Sequence, residues 1–166
     1  MFETYIPERF KASFGALKIW EWIAIPVFLL VVGLMGMDLH RAHIEAHQLE
    51  HGMSPEFQEK LMERLGYPDR SPFGRPIPGS GATLAADLLT LDLATPKVPY
   101  EVDRIPEEDV ELLRFLVEAD IVPDHTIQVV EATPYLGVLV VSAGGTDVSI
   151  GYSVASQIAV RLAPET

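Results

Sequence analysis

Residues 126–162 read TIQVVEATPYLGVLVVSAGGTDVSIGYSVASQIAVRL and contain four short runs rich in Val, Ile and Thr. The runs are TIQVVEA, LGVLVVSA, DVSIG and QIAVRL. β-branched residues favour strands, and the Gly144–Gly145 pair between the second and third runs is typical of a hairpin turn. Several short strands at close spacing predict a small β-barrel.

The sequence before these strands predicts helices. Residues 109–119, DVELLRFLVEA, form a short amphipathic pattern. A helix is also predicted from Leu39 to about Gly52, with Asp38 as its N-cap and Gly52 as its end.

A further helix is predicted over residues 54–66, SPEFQEKLMERLG, with Ser54 as N-cap and Pro55 at the first position. Its apolar stripe comprises Phe57, Leu61 and Leu65. The following residues 67–81, YPDRSPFGRPIPGSG, hold four prolines and three glycines, which predicts an extended, turn-rich loop or linker.

These patterns predict an α+β protein in three parts. Residues 1–37 form an apolar N-terminal segment, residues 38–79 form a helical unit with the proline-rich loop, and residues 86–163 form the small β-barrel. The composition has 48% hydrophobic residues, which is typical of a globular protein.

The charge and cysteine content exclude several classes. The chain of 166 residues has a net charge of -12 and a pI near 4.7, so it lacks the basic character of a free nucleic-acid binder. With no cysteine, disulfides, iron–sulfur clusters and thiolate zinc sites are excluded. Absence of cysteine is consistent with a cytoplasmic protein.

The stretch Ile19–Met37 is almost uncharged, and Glu21 is its only charged residue. At 1.5 Å per residue, such a helix spans about 28 Å, which is close to the thickness of a bilayer's hydrocarbon core. Two interpretations follow. The segment is a membrane anchor with the rest of the chain on the cytoplasmic face, or it is a helix buried in a dimer core. Pro26 would kink either one.

The stretch HRAHIEAHQLEH, residues 40–51, holds four of the chain's five histidines. On a helix, one carboxylate and three of these imidazoles share a single face, because their spacing follows i, i+4, i+7 and i+8 from His43, and His40 lies within the same arc. The predicted metal ligands are His40, His43, His47, Glu50 and His51. Such donors suit Fe²⁺, Mn²⁺, Zn²⁺, Co²⁺ or Ni²⁺. The alternative is a solvated polar face, and a single helix cannot complete a coordination sphere by itself.

Residues 43–61, HIEAHQLEHGMSPEFQEKL, resemble the metal-binding and dimerisation region of the diphtheria-toxin-repressor family of iron- and manganese-dependent regulators. Residues 71–79, SPFGRPIPG, resemble the loop that follows this region. Residues 104–141 and 148–162 are similar to the family's SH3-like tail, which is also shared with FeoA-type domains. The likeness covers roughly residues 36–162.

The resemblance implies roles for the ligands. His47, Glu50 and His51 match positions of the family's primary metal site, and His43 matches an ancillary ligand. Fe²⁺ or Mn²⁺ are therefore the expected ions. Glu108, Asp109 and Glu111 lie near the start of the tail, where some members of the family supply further ligands, so they are candidate ancillary ligands. The favoured interpretation of these three residues is the charged first turn of a helix, where acidic residues are stabilising.

One departure from the family concerns DNA. Its members begin with a winged helix-turn-helix, and the residues before Asp38 leave no room for one, so no DNA-binding residue is expected. The resemblance then implies a homodimer, or a mixed dimer with a full-length regulator through which alone DNA is reached. No catalytic set is visible, so no enzyme is expected. The rival interpretation is a membrane-anchored metal-binding accessory protein of iron or manganese homeostasis.

Overall fold

The computed structural model describes residues 35–37, 39–50, 52–77 and 80–164, and its contacts divide the chain between Thr83 and Leu84. We call the described residues before this point the helical unit and those after it the sheet unit. The division falls in the interval that the sequence analysis leaves between residues 79 and 86. The predicted segment 1–37 lies outside the described residues except for its last three positions.

The helical unit contains α1, Leu39–Glu50, and α2, Pro55–Arg64. The two predicted helices are confirmed, although α1 ends two residues before Gly52. The amide of Gly52 donates to the carbonyl of Leu49 across 3.0 Å, which closes the last turn. The predicted N-cap Asp38 lies outside the described residues.

Both ends of α2 are capped as the sequence predicts. The hydroxyl of Ser54 accepts from the amide of Phe57 at 3.3 Å, and Pro55 occupies the first turn. At the other end, Gly66 adopts a φ of 72°, and its amide donates to Glu63 while that of Tyr67 donates to Met62. These two bonds form the Schellman pattern, which satisfies carbonyls that the helix leaves open.

The proline-rich segment after α2 is folded rather than extended. Phe73 and Ile77 are buried, and a single β-bridge pairs Arg70 with Pro76. The buried hydroxyl of Ser71 accepts from the amides of Phe73 and Arg75 at 3.3 and 3.2 Å. A turn-rich loop is confirmed, but its extended conformation is not, because buried apolar side chains and internal hydrogen bonds close it on itself.

The sheet unit is an antiparallel sheet of six strands in the order β1-β6-β2-β3-β4-β5. Helix α3 lies between β2 and β3, and the short helix α4 lies between β5 and β6. The elements are β1 Leu89–Thr90, β2 Pro99–Arg104, α3 Val110–Glu118, β3 Thr126–Thr133, β4 Val138–Ala143, β5 Thr146–Gly151, α4 Tyr152–Ala155 and β6 Ala159–Leu162.

Alternating strand residues build the core of the sheet unit. In β4 the burial alternates residue by residue, as expected for a strand with one face inward. Helix α3 adds Leu113 and Leu116, both without exposed area. The fully buried strand residues include Val102, Val129, Leu139, Val141 and Val160.

The four predicted strands exist, and two of them begin two residues later than predicted. Residues Pro134–Leu136 form a 3₁₀ turn that ends at Gly137 with a φ of 70°, so β4 begins at Val138 and not at Leu136. β6 begins at Ala159 because α4 and the turn after it use the preceding residues. Gly144 and Gly145 both have positive φ, which fits a two-residue hairpin turn.

Candidate metal-binding helix

Helix α1 holds the predicted metal ligands at fixed register positions. Four of them lie within its backbone, whereas His51 lies outside the described residues. At roughly 100° per residue, the four positions span an arc of about 80° around the helix. These four positions are His40, His43, His47 and Glu50. The structure describes where they lie on the helix and not their side chains.

The flanks of this arc differ in exposure. Ala42 and Ala46, which lie beside the arc on one side, are 0% and 2% exposed. Ile44 and Gln48, on the other side, are exposed. The arc therefore lies at the border between a packed face and a solvent face. Residues of a second element could reach this border, and a metal held there would need such residues to complete its coordination.

The described side chains do not form a metal site of their own. Among those residues, no group of three His, Asp or Glu side chains is placed to hold a metal ion. The side chains of the candidate ligands on α1 lie outside the described part of the chain.

The three candidate ancillary residues lie at the start of α3, and all are exposed. The Asp109 carboxylate accepts from the amides of Glu111 and Leu112 at 3.0 and 3.1 Å. Asp109 is thus the N-cap of α3, a role that satisfies helix amides without a metal. The Glu108 carboxylate accepts from the amide of Glu107 at 3.2 Å.

A charged cluster that the sequence analysis did not identify joins β2 to β6. Arg161 forms ion pairs with Glu101, with Asp103 at 3.1 Å and with Asp124 at 3.9 Å. The hydrogen bond that Arg161 donates to the Glu101 carboxylate, and then the negative charge of the nearby carboxylates, raise the pKa of Arg161 above its ordinary value. The period-2 alternation of Tyr100 and Val102 was the only sequence signal for β2.

The fifth histidine lies in the sheet unit. His125 Nδ1 lies 2.9 Å from the carboxylate of Asp120, and both side chains are about half exposed. Asp120 also lies against Gly144, where an added Cβ would come within 2.6 Å of the Asp120 carboxylate. The approach of Asp120 to Gly144 links the end of α3 to the β4–β5 turn. Sequence spacing alone did not predict the contact with Gly144.

The phenol of Tyr67, in the helical unit, has a raised pKa. Burial raises the pKa of Tyr67, and the nearby carboxylates of Glu59 and Glu63 raise it further, whereas Lys60 lowers it. The phenol therefore keeps its proton to higher pH than a free tyrosine does.

Two family descriptions match this chain. "Iron dependent repressor, metal binding and dimerisation domain" matches residues 27–79, and "FeoA domain" matches residues 89–162. The first match includes α1, α2 and most of the folded proline-rich segment, and the second includes all six strands of the sheet unit. The predicted resemblance and the α+β fold with an SH3-like second part are confirmed.

The curated relatives are repressors. The iron-dependent repressor IdeR of Mycobacterium tuberculosis is 32% identical over 146 residues, which cover 80% of this chain and 63% of the relative. The diphtheria toxin repressor of Corynebacterium glutamicum is 48% identical over 52 residues, which cover 31% of this chain and 23% of the relative. The chain thus spans less than two thirds of the length of IdeR.

A solved structure that resembles this chain is also that of a repressor. A manganese-dependent transcriptional repressor in complex with manganese is 26% identical, with a TM-score of 0.70. The match covers 87% of this chain and 70% of that one.

Two findings bear on the apolar N-terminal stretch. The family match begins at residue 27, so it includes the second half of Ile19–Met37. Within the described residues, no helix is long and apolar enough to cross a bilayer. Ile19–Met37 lies outside the described residues up to position 34.

Proposed function

We propose that this chain, which belongs to the iron-dependent repressor family, binds a divalent transition metal on helix α1 and acts as the metal-sensing, dimerising part of a regulator. Fe²⁺ or Mn²⁺ are the proposed ions, because the named relatives are iron-dependent and manganese-dependent repressors. Zn²⁺, Co²⁺ and Ni²⁺ suit the same imidazole and carboxylate donors.

The observation that carries the proposal is the register of α1. The helix runs without interruption from Leu39 to Glu50, so three imidazoles and one carboxylate occupy one arc beside the buried Ala42–Ala46 stripe. His47, Glu50 and His51 would hold the primary ion, and His43 an ancillary one, with His40 on the same arc. Imidazole nitrogens suit Fe²⁺, and carboxylate oxygens suit the harder Mn²⁺.

A bound metal would supply a cross-link rather than a reaction. A single helix cannot complete a coordination sphere, so the ion would tie α1 to a second element and order the two together. No catalytic role is proposed, and the named relatives are repressors. Glu108, Asp109 and Glu111 remain ancillary candidates, although the capping bonds of Asp109 support a structural role for that residue.

We also propose a homodimer. The family description that matches residues 27–79 is that of a dimerisation domain. Phe57 and Leu49 of the helical unit are 52% and 48% exposed, so each offers apolar area to such an interface. A mixed dimer with a full-length regulator would give the chain access to DNA, and a cytoplasmic location would follow.

A membrane-anchored accessory protein is the second candidate, with Ile19–Met37 as the span. The family match from residue 27 onward favours a dimerisation helix over an anchor, because a span would divide that domain. Carbonate extraction of membranes separates the two. Release of the chain into the soluble fraction supports the regulator, and retention in the pellet supports the anchor.

Calorimetric titration with Mn²⁺, and with Fe²⁺ under nitrogen, tests the metal site. Replacing His47 or His51 with Ala should weaken binding at least about tenfold, because each removes a direct ligand, and even outer-shell changes cost about that much. Gln48→Ala is the matched control, since Gln48 is exposed on the same helix but outside the arc. Undiminished affinity in both histidine variants would contradict the proposal.

A further inference from the structure

Strand β5 lies at one end of the sheet. Within the described residues it pairs with β4 alone, over all six of its positions and without a shift of register. Strand β1, at the opposite end of the sheet, has only two residues. In the described part of the chain, the long free edge of the sheet is therefore that of β5.

The register shows which backbone groups of β5 point away from β4. Ala143 and Thr146 close a two-residue turn, so they form a hydrogen-bonded pair, and such pairs alternate along an antiparallel ladder. The bond from the Tyr152 amide to the Gly137 carbonyl, at 3.0 Å, continues the same alternation past the end of the strand. The outward-facing amides are therefore those of Asp147, Ser149 and Gly151.

Strand β5 has little of what usually keeps an exposed edge from pairing. Such edges are protected by proline, lysine, bulges or very short strands. The six residues of β5, TDVSIG, keep a regular register and include one charged side chain, that of Asp147. Asp147 and Ser149 are both exposed. The edge is therefore suited to a further strand.

The part of the chain around β5 is almost free of charge. Residues 132–160, which include β4, β5 and α4, contain Asp147 as their only charged residue, although residues 84–166 hold 14 acidic and 4 basic residues. The core of a protein interface is depleted of charged residues in the same way. A cationic partner would be attracted to the other acidic residues of the unit, whereas an uncharged surface can pair with a copy of itself.

We propose that β5 pairs antiparallel with β5 of a second copy of this chain, around a two-fold axis at Ser149. The outward-facing residues are symmetric about Ser149, so Asp147 of each copy lies opposite Gly151 of the other. The two carboxylates are then about 13 Å apart, which exceeds the Debye length of about 8 Å at physiological salt. Moving the axis toward Asp147 brings the two carboxylates together until they lie directly opposite, which is destabilising.

The same register continues the inner face of the sheet from one copy to the other. On that face Ile150 is buried and Val148 is partly buried. Each Val148 lies opposite Ile150 of the second copy, and β-branched side chains pack well against cross-strand neighbours. The contact belongs to the sheet unit, so the inference goes beyond the proposed function and does not rest on the homodimer proposed for the helical unit.

Amide hydrogen exchange of the full chain, resolved by residue with NMR at low and high protein concentration, tests the contact. Exchange at Asp147, Ser149 and Gly151 should slow about tenfold at the higher concentration, which corresponds to about nine-tenths of the edges being paired. The amides of Val148 and Ile150 bond to β4, so they should stay protected at both concentrations and serve as internal controls.

Two substitutions test the register. Gly151→Asp places a carboxylate opposite Asp147 of the second copy, twice in a two-fold contact, and should weaken the pairing about tenfold. The fold should tolerate this change, because Gly151 has a φ of -73°, an added Cβ meets nothing closer than 3.7 Å, and aspartate is a favourable N-cap for α4. Asp147→Lys combined with Gly151→Asp sets opposite charges face to face and should restore the pairing.

Fast exchange of the three outward-facing amides at every concentration overturns the inference. Equal protection in the unchanged protein and in Gly151→Asp also overturns it, since a different register or another part of the chain would then cover the edge. A double variant that does not recover the protection lost in Gly151→Asp has the same meaning. If Gly151→Asp fails to fold, Ser149→Pro decides, because it removes one outward amide and leaves the bonds to β4 intact. Loss of the protection at Asp147 in Ser149→Pro supports the contact, and unchanged protection overturns it.

Discussion

Arg161 of β6 donates from Nη1 to the carboxylate of Asp103 on β2, across 3.1 Å, and the Asp103 side chain has no exposed area. The two strands shift register between Val102 and Arg104, which places Asp103 at an irregularity in the ladder. A β-bulge of this kind turns a residue to the face opposite to the one that strict alternation gives. The buried carboxylate of Asp103 is tolerated because Arg161, which is distant in the sequence but lies on the neighbouring strand, neutralises its charge.

Arg161→Ala should destabilise the sheet unit. The variant leaves a buried carboxylate without its ion pair, which typically costs about 3–5 kcal/mol, and about 2–3 kcal/mol here because Arg161 is partly solvated. Thermal unfolding followed by circular dichroism should shift by about 10–20 °C. Arg114→Ala is the control, since its pair with Glu118 is exposed and should change stability by less than about 0.5 kcal/mol. Equal unfolding temperatures for the two variants would contradict the proposed stabilising role of the Arg161–Asp103 ion pair.

Two variants of Asp109 separate capping from metal binding. Asp109→Ala should cost about 1 kcal/mol, because it removes the acceptor for two amides of α3. Asp109→Asn should keep most of that stability, since asparagine caps helices nearly as well. If Asp109 acts only as a cap, Asp109→Asn also leaves the metal stoichiometry unchanged. Loss of one ion per chain in Asp109→Asn would instead identify the carboxylate as a ligand.

Phe57→Ser should weaken the proposed homodimer. Phe57 is half exposed on α2, and burying such a side chain fully stabilises a contact by about 1.5–3 kcal/mol. The dissociation constant measured by sedimentation at several dilutions should rise about tenfold to a hundredfold. Leu136→Ser is the matched control, because Leu136 is an exposed apolar residue of the sheet unit. A dimer that responds to Leu136→Ser and not to Phe57→Ser would place the interface elsewhere.

The raised pKa of Tyr67 predicts a loss of stability at alkaline pH. A tyrosine whose folded pKa exceeds its unfolded value of 10.0 stabilises the fold below that pH, and the contribution disappears as the pH rises through the folded pKa. Urea unfolding of the unchanged protein should therefore become easier above about pH 10. Tyr67→Phe should show a shallower decline over the same range. Parallel pH profiles for the two proteins would argue against the burial of this phenol.

Charge is divided unevenly between the two units and predicts no DNA binding by the chain alone. Residues 84–166 contain 14 acidic and 4 basic residues, whereas residues 1–83 contain 10 and 8. Non-specific DNA affinity comes mainly from Lys and Arg side chains that neutralise phosphates. The excess of acidic residues in the sheet unit repels the phosphates of DNA. A gel-shift titration at low and moderate salt, with and without Mn²⁺, should show no retardation. Metal-dependent, sequence-selective retardation would mean that residues outside the described part read DNA.

The sequence by itself determined the helices and the later strands, because their signals are local. Ser54 and Asp109 are side chains that cap the amides next to them, and Gly144–Gly145 supplies the positive φ of its own turn. The register that brings the histidines to one arc of α1 is equally local, since it follows from the helix period alone.

The tertiary structure decided what depends on residues far apart in the chain. β2 was not predicted, because its alternating apolar residues, Tyr100 and Val102, are too few to indicate a strand, and the burial of Asp103 depends on Arg161, about sixty positions later. The sequence also did not predict that the proline-rich segment is folded. Arg70 and Ser80 close this segment by donating to backbone carbonyls, which every residue carries, so no residue type marks these contacts. Local pattern fixes backbone shape, whereas buried charges and carbonyl contacts are settled only when distant segments pack together.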